Sequence, residues 1–550
     1  MLLGLSVYQL VSHIQPTINQ PPGTLIHVLD DDSLLNIFSF CRPLILDENE
    51  AFNDEILEGG KWIRERWWYA LVHVCRRWRY LVLQSPSYLH LSLLCTRRTP
   101  VADMLANSPH LPLVIDHLGE ENVITIEDEE GIILALQHRD RVRRIRLSDP
   151  IPYLQKFILA LDGEFPILEF LLIYHSFSAP THAHDMSLNI PETFRAPHLR
   201  HLMLMGFAIS IESPLLTTMG NLVSLNLDLI PPSAYFHPNA LLQRISLMPQ
   251  LEILGVFFSN HSPSGDVERQ LLPAAITARV TLPNLRGFGF QGATAYLEAL
   301  LPWVNFPLLE RLQVYFINQM TYSIPHLQQF MSTAGNFRPI AITLDFYEDY
   351  LHMSAYPRER ARAYTLAMAL DGSHLNWQVE SAAQVFHAIE TVFSAVEHLT
   401  LRYNRRLVSS EWNNEADRTQ WRELFRSFRN VKALSVEEEL VGQLSRSLQS
   451  SEGESPTELL PELQELSYYS TDGFQDAFTQ FIEARQKACR PVTVINLPAN
   501  DSSTVGAKVI FYPLDSVSCQ VSSRSLSRSS VDEDVTSPNI PLIEGTAVDI

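Results

Sequence analysis

Four histidines are the first residues whose type and spacing could do chemistry. His182 and His184 bracket Ala183, and His198 and His201 follow one repeat later. Paired imidazoles can hold a divalent metal. No carboxylate or cysteine stands at ligand spacing with both pairs, so no metal site is expected. Glu437-Glu438-Glu439 offers neighbouring carboxylates of the kind used as general acid and base. The triplet directly follows an apolar strand pattern, and a solvated turn is expected there. Trp62, Trp67, Trp68 and Trp78 could form an aromatic cage for a cation. Packing inside a small helical module is the expectation instead. The sequence holds no Gly-x-x-x-x-Gly-Lys and no Gly-x-Ser-x-Gly. It therefore offers neither that phosphate cradle nor a nucleophile elbow. No catalytic residue and no cofactor is expected.

The elements that would position any site come from the rest of the chain. It has 550 residues, 46% of them hydrophobic, enough for two or more domains. Lys and Arg number 41 against 62 Asp and Glu, a net charge of −21. That balance disfavours sequence-independent nucleic-acid binding, which needs cations to neutralise phosphates. Residues 61–98 run the other way. They hold Lys61, Arg64, Arg66, Arg76, Arg77, Arg79, Arg97 and Arg98 against one acid, Glu65. Such a stretch could meet nucleic acid or an acidic protein, and the acidic protein is favoured.

The cysteines, at 41, 75, 95, 489 and 519, are scattered and odd in number, with no Cys-x-x-Cys pair. Neither a disulfide framework nor a zinc site is expected, and a reducing cytoplasmic or nuclear setting fits. Residues 1–14 are fairly apolar but lack the basic start and cleavage site of a signal peptide. No run of apolar residues is long enough to predict a transmembrane helix.

Internal repetition dominates residues 140–470. The pattern apolar-x-x-apolar-x-apolar occurs at Val142/Ile145/Leu147, Leu168/Leu171/Ile173, Leu199/Leu202/Leu204, Leu222/Leu225/Leu227 and Leu251/Leu254/Val256. It continues at Leu285/Phe288/Phe290, Leu309/Leu312/Val314, Val396/Leu399/Leu401, Val431/Leu434/Val436 and Leu463/Leu466/Tyr468. An apolar-Pro step precedes many copies: Phe165-Pro, Ala196-Pro, Met248-Pro, Leu282-Pro, Phe306-Pro and Leu460-Pro. Proline fixes a turn and a short strand follows. Leu225 is expected to point inward and Asn226 to be exposed. Helical spacers fit between strands, as at Tyr296–Leu301 and Ala382–Phe393. No single unit can bury its own apolar face, so stacked units must share one core. Between Leu309 and Val396 the interval is long, and Ile340–Phe346 supplies one degenerate copy. The spacing resembles that of leucine-rich repeats. The asparagine expected after each strand occurs at Asn404, whereas other copies carry Phe207, Ile230, Ser259, Ala293, Ile317 and Glu439.

Near the N-terminus, Asp30, Asp31, Asp32 and Ser33 read as a helix start, with Leu34, Leu35, Ile37 and Phe38 as its apolar stripe. A second helix is expected to carry Leu71, Val74, Trp78 and Leu81 on one face, between Arg76, Arg77 and Arg79, and to stop at Pro86. These segments, above all Val74-Cys-Arg-Arg-Trp78 behind the Trp67-Trp68 pair, resemble an F-box of the large fungal, basidiomycete-type group. Two departures stand out. Leu29 is followed by Asp30 where F-boxes usually have Leu-Pro, and residues 41–66 intervene, read here as an inserted loop. The resemblance implies a helical module that docks on a Skp-type adaptor, and through it a cullin, by Leu29, Leu34, Leu35, Ile37, Phe38, Val74, Trp78 and Leu81.

The expected architecture is α/β. Residues 1–22 are a tail and 23–95 a small all-helical module. Residues 96–499 form an irregular leucine-rich-repeat solenoid of parallel strands and helices, with a polar loop at 447–458. Residues 500–550 are Ser-rich and expected to be disordered, apart from a local strand near Val509–Tyr512. The functional expectation is a substrate receptor of a cullin ubiquitin ligase with an unknown target protein. The alternative is a leucine-rich-repeat interaction scaffold without a ligase.

Overall fold

The computed structural model describes residues 29–42, 67–108, 110–118, 124–175, 188–259, 279–319, 321–334, 336–359, 361, 363–403, 418–449, 459–470, 478–498 and 508–510. The N-terminal tail, most of the inserted loop, Trp62, His182, His184, Asn404, residues 450–458 and the Ser-rich tail except 508–510 lie outside these.

The chain starts as helices. Asp30 caps α1 (Asp31–Phe40), its Oδ1 accepting the Ser33 N–H at 2.7 Å. Next come α2 (Trp67–Val72) and α3 (Arg76–Gln84), with Pro86 just past the end of α3. The expected continuous face Leu71–Val74–Trp78–Leu81 does not form. The chain turns at His73 and Val74, and Cys75 starts a new helix, its Sγ accepting the Trp78 N–H at 3.5 Å. Leu71 and Leu81 are buried, while Val74, on the turn with no helical neighbours over it, is 58% exposed.

The solenoid begins earlier than the repeat pattern suggests. Its first half runs β1 (Leu93–Cys95), α4 (Val101–Asn107), β2 (Leu113–Leu118), α5 (Ile126–Gln137), β3 (Val142–Asp149), α6 (Ile151–Ala160), β4 (Phe170–His175), β5 (His201–Met205) and α7 (Pro214–Thr217). It continues with β6 (Ser224–Ile230), α8 (Pro238–Ile245), β7 (Ile253–Phe258), β8 (Val280–Thr281), β9 (Gly287–Gly292), α9 (Thr294–Leu300), β10 (Val304–Asn305) and β11 (Arg311–Phe316). The second half holds α10 (Pro325–Thr333), β12 (Ala341–Phe346), β13 (Tyr350–Tyr356), β14 (Leu366–Asp371), α11 (Leu375–Ala388) and α12 (Glu390–Phe393). Then come β15 (His398–Tyr403), α13 (Arg418–Arg426), β16 (Ala433–Val436), α14 (Glu438–Leu448), β17 (Glu465–Ser470), α15 (Thr479–Lys487), β18 (Thr493–Pro498) and β19 (Lys508–Ile510).

The repeat residues set the register. Ile145 pairs with Leu171, then Leu171 with Leu202, Leu202 with Leu225, Leu225 with Leu254, Leu254 with Phe288 and Phe288 with Leu312, all in parallel. Leu399, Leu434 and Leu466 continue the series. Each middle residue of the pattern thus stacks on the next, and its side chain enters one shared hydrophobic core. The apolar-Pro steps act as anticipated. In all six, the buried residue before the proline accepts a backbone hydrogen bond from the leucine three positions on, at 3.0–3.4 Å, as in Leu463 N–H to Leu460. Proline stands at the second position of the turn, where its fixed φ is favoured.

The long interval between Leu309 and Val396 is more than a degenerate copy. β12, β13 and β14 form an antiparallel meander. β14 pairs with β11 and β12 with β15, both in parallel. The local strand order is therefore β11-β14-β13-β12-β15, and β13 runs against its surroundings. β19 also runs antiparallel, against β18.

At the N-terminal end, polar groups occupy positions that leucines fill elsewhere. His117 and Asp149, both 0% exposed, bond at 2.8 Å, and the Arg97 guanidinium reaches Asp149 at 3.3 Å. Phe157 packs edge-on to the imidazole. The helical module seats on this end, with Leu34, Phe38, Trp68 and Val82 in the same core as the strands and Trp68 Nε1 donating to the Ser92 carbonyl. Cys41, Cys75 and Cys95 are free and Cys489 is disulfide-bonded, which does not by itself make a disulfide framework.

Candidate functional site

Two surfaces carry the features that could bind a partner: the helical module and the open face of the sheet.

In the module, Arg77 ties α3 to α1. Its guanidinium bonds Asp31 at 2.6 Å and the Leu29 carbonyl at 2.7 Å. Phe38 meets Trp78 edge-on at 4.7 Å. The eight residues singled out from sequence separate into three groups. Leu34, Phe38 and Leu81 are fully inside and hold the module together. Leu29, Leu35 and Trp78 are half-buried against that core. Ile37 and Val74 are exposed, joined by Phe40, Tyr80 and Tyr88, which the sequence pattern did not single out. Phe40 is 88% exposed. Of the basic run, Arg77 and Arg97 are engaged in ion pairs, and Arg76 and Arg79 reach the surface. Trp68 is buried and Trp67 and Trp78 half-buried, so among the described residues these indoles pack rather than form an open cage.

The open face of the sheet is made by the residues that alternate with the core positions. One row crosses eight strands: Asp228 in the bulge of β6 opposite Phe257, then in register Phe257, Gln291, Tyr315, Ala369, His352, Asp345 and Arg402 on β15. Phe257 and Tyr315 have ring centroids 6.2 Å apart, and Tyr315 and His352 6.4 Å. Below it runs a second row of small or neutral residues: Asn226, Gly255, Gly289, Gln313, Ala367, Ser354, Thr343, Thr400 and Ser435. Gly255 and Gly289 are the floor on which Phe257 lies. A Cβ would stand 2.7 Å from its ring at position 255 and 2.6 Å at 289, closer than carbon atoms approach. Asn226, expected to be exposed, does lie opposite the core but is only 3% exposed, because its amide fills the space above Gly255.

The electrostatics of the upper row follow from burial. Desolvation pushes the Asp228 carboxyl up to about 6, against the Leu229 N–H, which favours the charged form. It raises Tyr315 to about 12 and keeps His352 below its ordinary value, so neutral imidazole is favoured. Asp345 is raised by burial, with Arg402 opposing.

Among the described residues, the remaining sequence candidates do not assemble into a reactive centre. His198 is exposed and His201 packs against Phe170 at 5.9 Å. Among the described residues no group of His, Cys, Asp and Glu is placed to hold a metal. Glu437 accepts the Tyr403 N–H at 3.0 Å, linking the end of β15 to the start of α14, and Glu438 and Glu439 open that helix where a solvated turn was expected. No helix of the described residues is long and apolar enough to cross a membrane.

No protein-family model matches the chain, and no curated protein matches it. Among solved structures, the leucine-rich repeat-containing protein LegL7 from Legionella pneumophila is similar at 12% identity, over 72% of this chain and 97% of that one, with a TM-score of 0.24. A score that low bears on neither fold nor function. The leucine-rich-repeat-like character of the solenoid rests on its own registered parallel strands.

Proposed function

We propose that this chain is an interaction protein that brings a target to a ubiquitin ligase, the helical module docking on a Skp-type adaptor and the open sheet face holding the target. The observation that carries this reading is the exposed apolar group on and beside α1–α3: Ile37, Phe40, Val74, Tyr80 and Tyr88. Small helical modules bind through a few such anchors. Arg76 and Arg79 beside them suit an acidic partner. The chain supplies proximity, raising the local concentration of target lysines near a conjugating enzyme, and the chemistry belongs to that enzyme.

The test is pull-down of the adaptor by the full chain. Val74→Asp with Tyr80→Asp changes two exposed positions, so the fold survives and binding is lost. Truncating Trp78 and Leu35 to Ala weakens binding as well, by about thirtyfold for each ~2 kcal/mol of lost contact. A wild-type chain that captures no adaptor, where a known F-box protein succeeds, sinks the ligase reading and leaves the repeat scaffold.

A further inference from the structure

Near the middle of the open face, three groups are arranged for a ligand that the described residues do not supply. The first is Asp228. β6 bulges between Leu227 and Ile230, and Leu229 takes a left-handed backbone, φ 48°. For a leucine that conformation is costly and is an outlier to be explained. It puts the Leu229 N–H on Asp228 Oδ1 at 2.9 Å, fixing the carboxylate on the open face. No cation pairs with that carboxylate among the described residues. The second group is Asn226, two residues earlier on the same face, whose buried Oδ1 has no hydrogen-bond partner. An unsatisfied acceptor there is expensive unless something fills it. The third is Phe257. Its ring edge and Asn226 Oδ1 share the space above Gly255, which brings acceptor and aromatic wall together.

Two acceptors, one of them anionic, beside an aromatic ring suit a positively charged donor. A carboxylate and an amide oxygen take charge-assisted N–H bonds, and a ring face attracts a cation. An anion would meet the carboxylate, and an apolar side chain would leave both acceptors unpaired. We infer that Asn226, Asp228 and Phe257 form a site for a cationic side chain, an arginine or lysine presented by a protein that lies along the sheet. The row of small residues from Gly289 to Ser435 leaves room for the backbone of that segment. This rests on the reading of the open face as the target surface.

A random-peptide library panned against the full chain at pH 7.5 tests it. The wild type is expected to select peptides with Arg or Lys at a fixed position. Asp228→Asn lowers their retention at least tenfold, Phe257→Leu weakens it, and Asp228→Lys selects acidic peptides instead. Each variant is first shown to melt cooperatively. Thr400→Arg, at the far end of the face, separates the two readings. Peptides lost with Thr400→Arg but indifferent to Asp228→Asn, or selected without a cation, overturn the cation site and spare the open face. A library that yields no peptide sensitive to either change overturns both.

Discussion

Asp228→Asn is expected to make the protein more stable. Its carboxyl titrates near 6 in the fold against 3.8 as a free side chain, because burial penalises the charged form. At about 1.4 kcal/mol per pH unit, ionised Asp228 costs the native state up to about 3 kcal/mol. The sign follows from proton counting. Between about pH 4 and pH 6 the folded chain holds the proton and the unfolded chain has lost it, so stability falls as pH rises across that window. Above 6 the full penalty applies. Asparagine keeps the oxygen that accepts the Leu229 N–H and removes the charge. Urea unfolding of wild type and variant in parallel measures the difference. The variant is expected to be more stable by up to about 3 kcal/mol at pH 7.5, with the gap closing by pH 4. A variant that is less stable at pH 7.5, or a gap that stays constant with pH, would refute the claim that desolvation raises this carboxyl.

Three further outcomes are expected. Gly289→Ala places a Cβ against the Phe257 ring and should cost about 1–3 kcal/mol, read as a lower urea midpoint; Phe257→Leu in the same chain should recover most of it. Arg485, 0% exposed, bonds the carbonyls of Leu459, Leu460, Pro461 and Leu463, the last at 3.1 Å; Leu460 keeps the Leu463 N–H, so Arg485→Leu strands the other three acceptors and costs roughly 3 kcal/mol or more. Arg485→Lys restores little of that, since one ammonium cannot span the set. Leu225→Asp buries a charge in the shared core and should unfold the solenoid, while Leu247→Asp, at an exposed position, melts as wild type. Equal melting of those two would show the inward register to be wrong.

Much of the solenoid was legible because a strand that must stack on its neighbour repeats its apolar spacing, and the proline turn repeats with it. The unseen strands are those whose slots hold other residues. In register with Val142, Ile145 and Leu147, β2 places Leu113, Ile115 and His117, its spacing shortened by a register shift after Leu113, and β1 places Leu93 and Cys95, with Arg97 two residues on. Arg97 and His117 meet Asp149, His117 fully buried and Arg97 partly so, a pairing that apolar spacing does not reveal. β18 was missed for the same reason, with Pro491 and Asn496 in its first and third slots around Val494. β14 keeps only a weak form of the pattern, Ala363, Leu366 and Met368. Its first slot is a small, exposed alanine, and Ala361 stands where the turn proline would announce the strand. The helical module was found by its capping aspartate and its apolar stripe, yet its break at Val74 was not, because Val74 keeps the helical period while Cys75 caps a new helix. The Asp228 row was invisible from sequence, since its members come from eight strands and meet through register alone.

The reversed strand β13 changes how such a chain can assemble and lengthen. A uniform solenoid grows like a zipper, each repeat closing on the one made just before it. Here the zipper stops at β11. Leu312 must wait for Leu366, and Ile342 for Leu399, partners that emerge only after the meander between them. Such distant closures slow folding more than they weaken the folded state. Repeats before β11 or after β15 can be duplicated or lost one at a time. The segment from β11 to β15 must be gained or lost as a block, which divides the molecule into two lengths that evolution can vary and a central joint that it cannot.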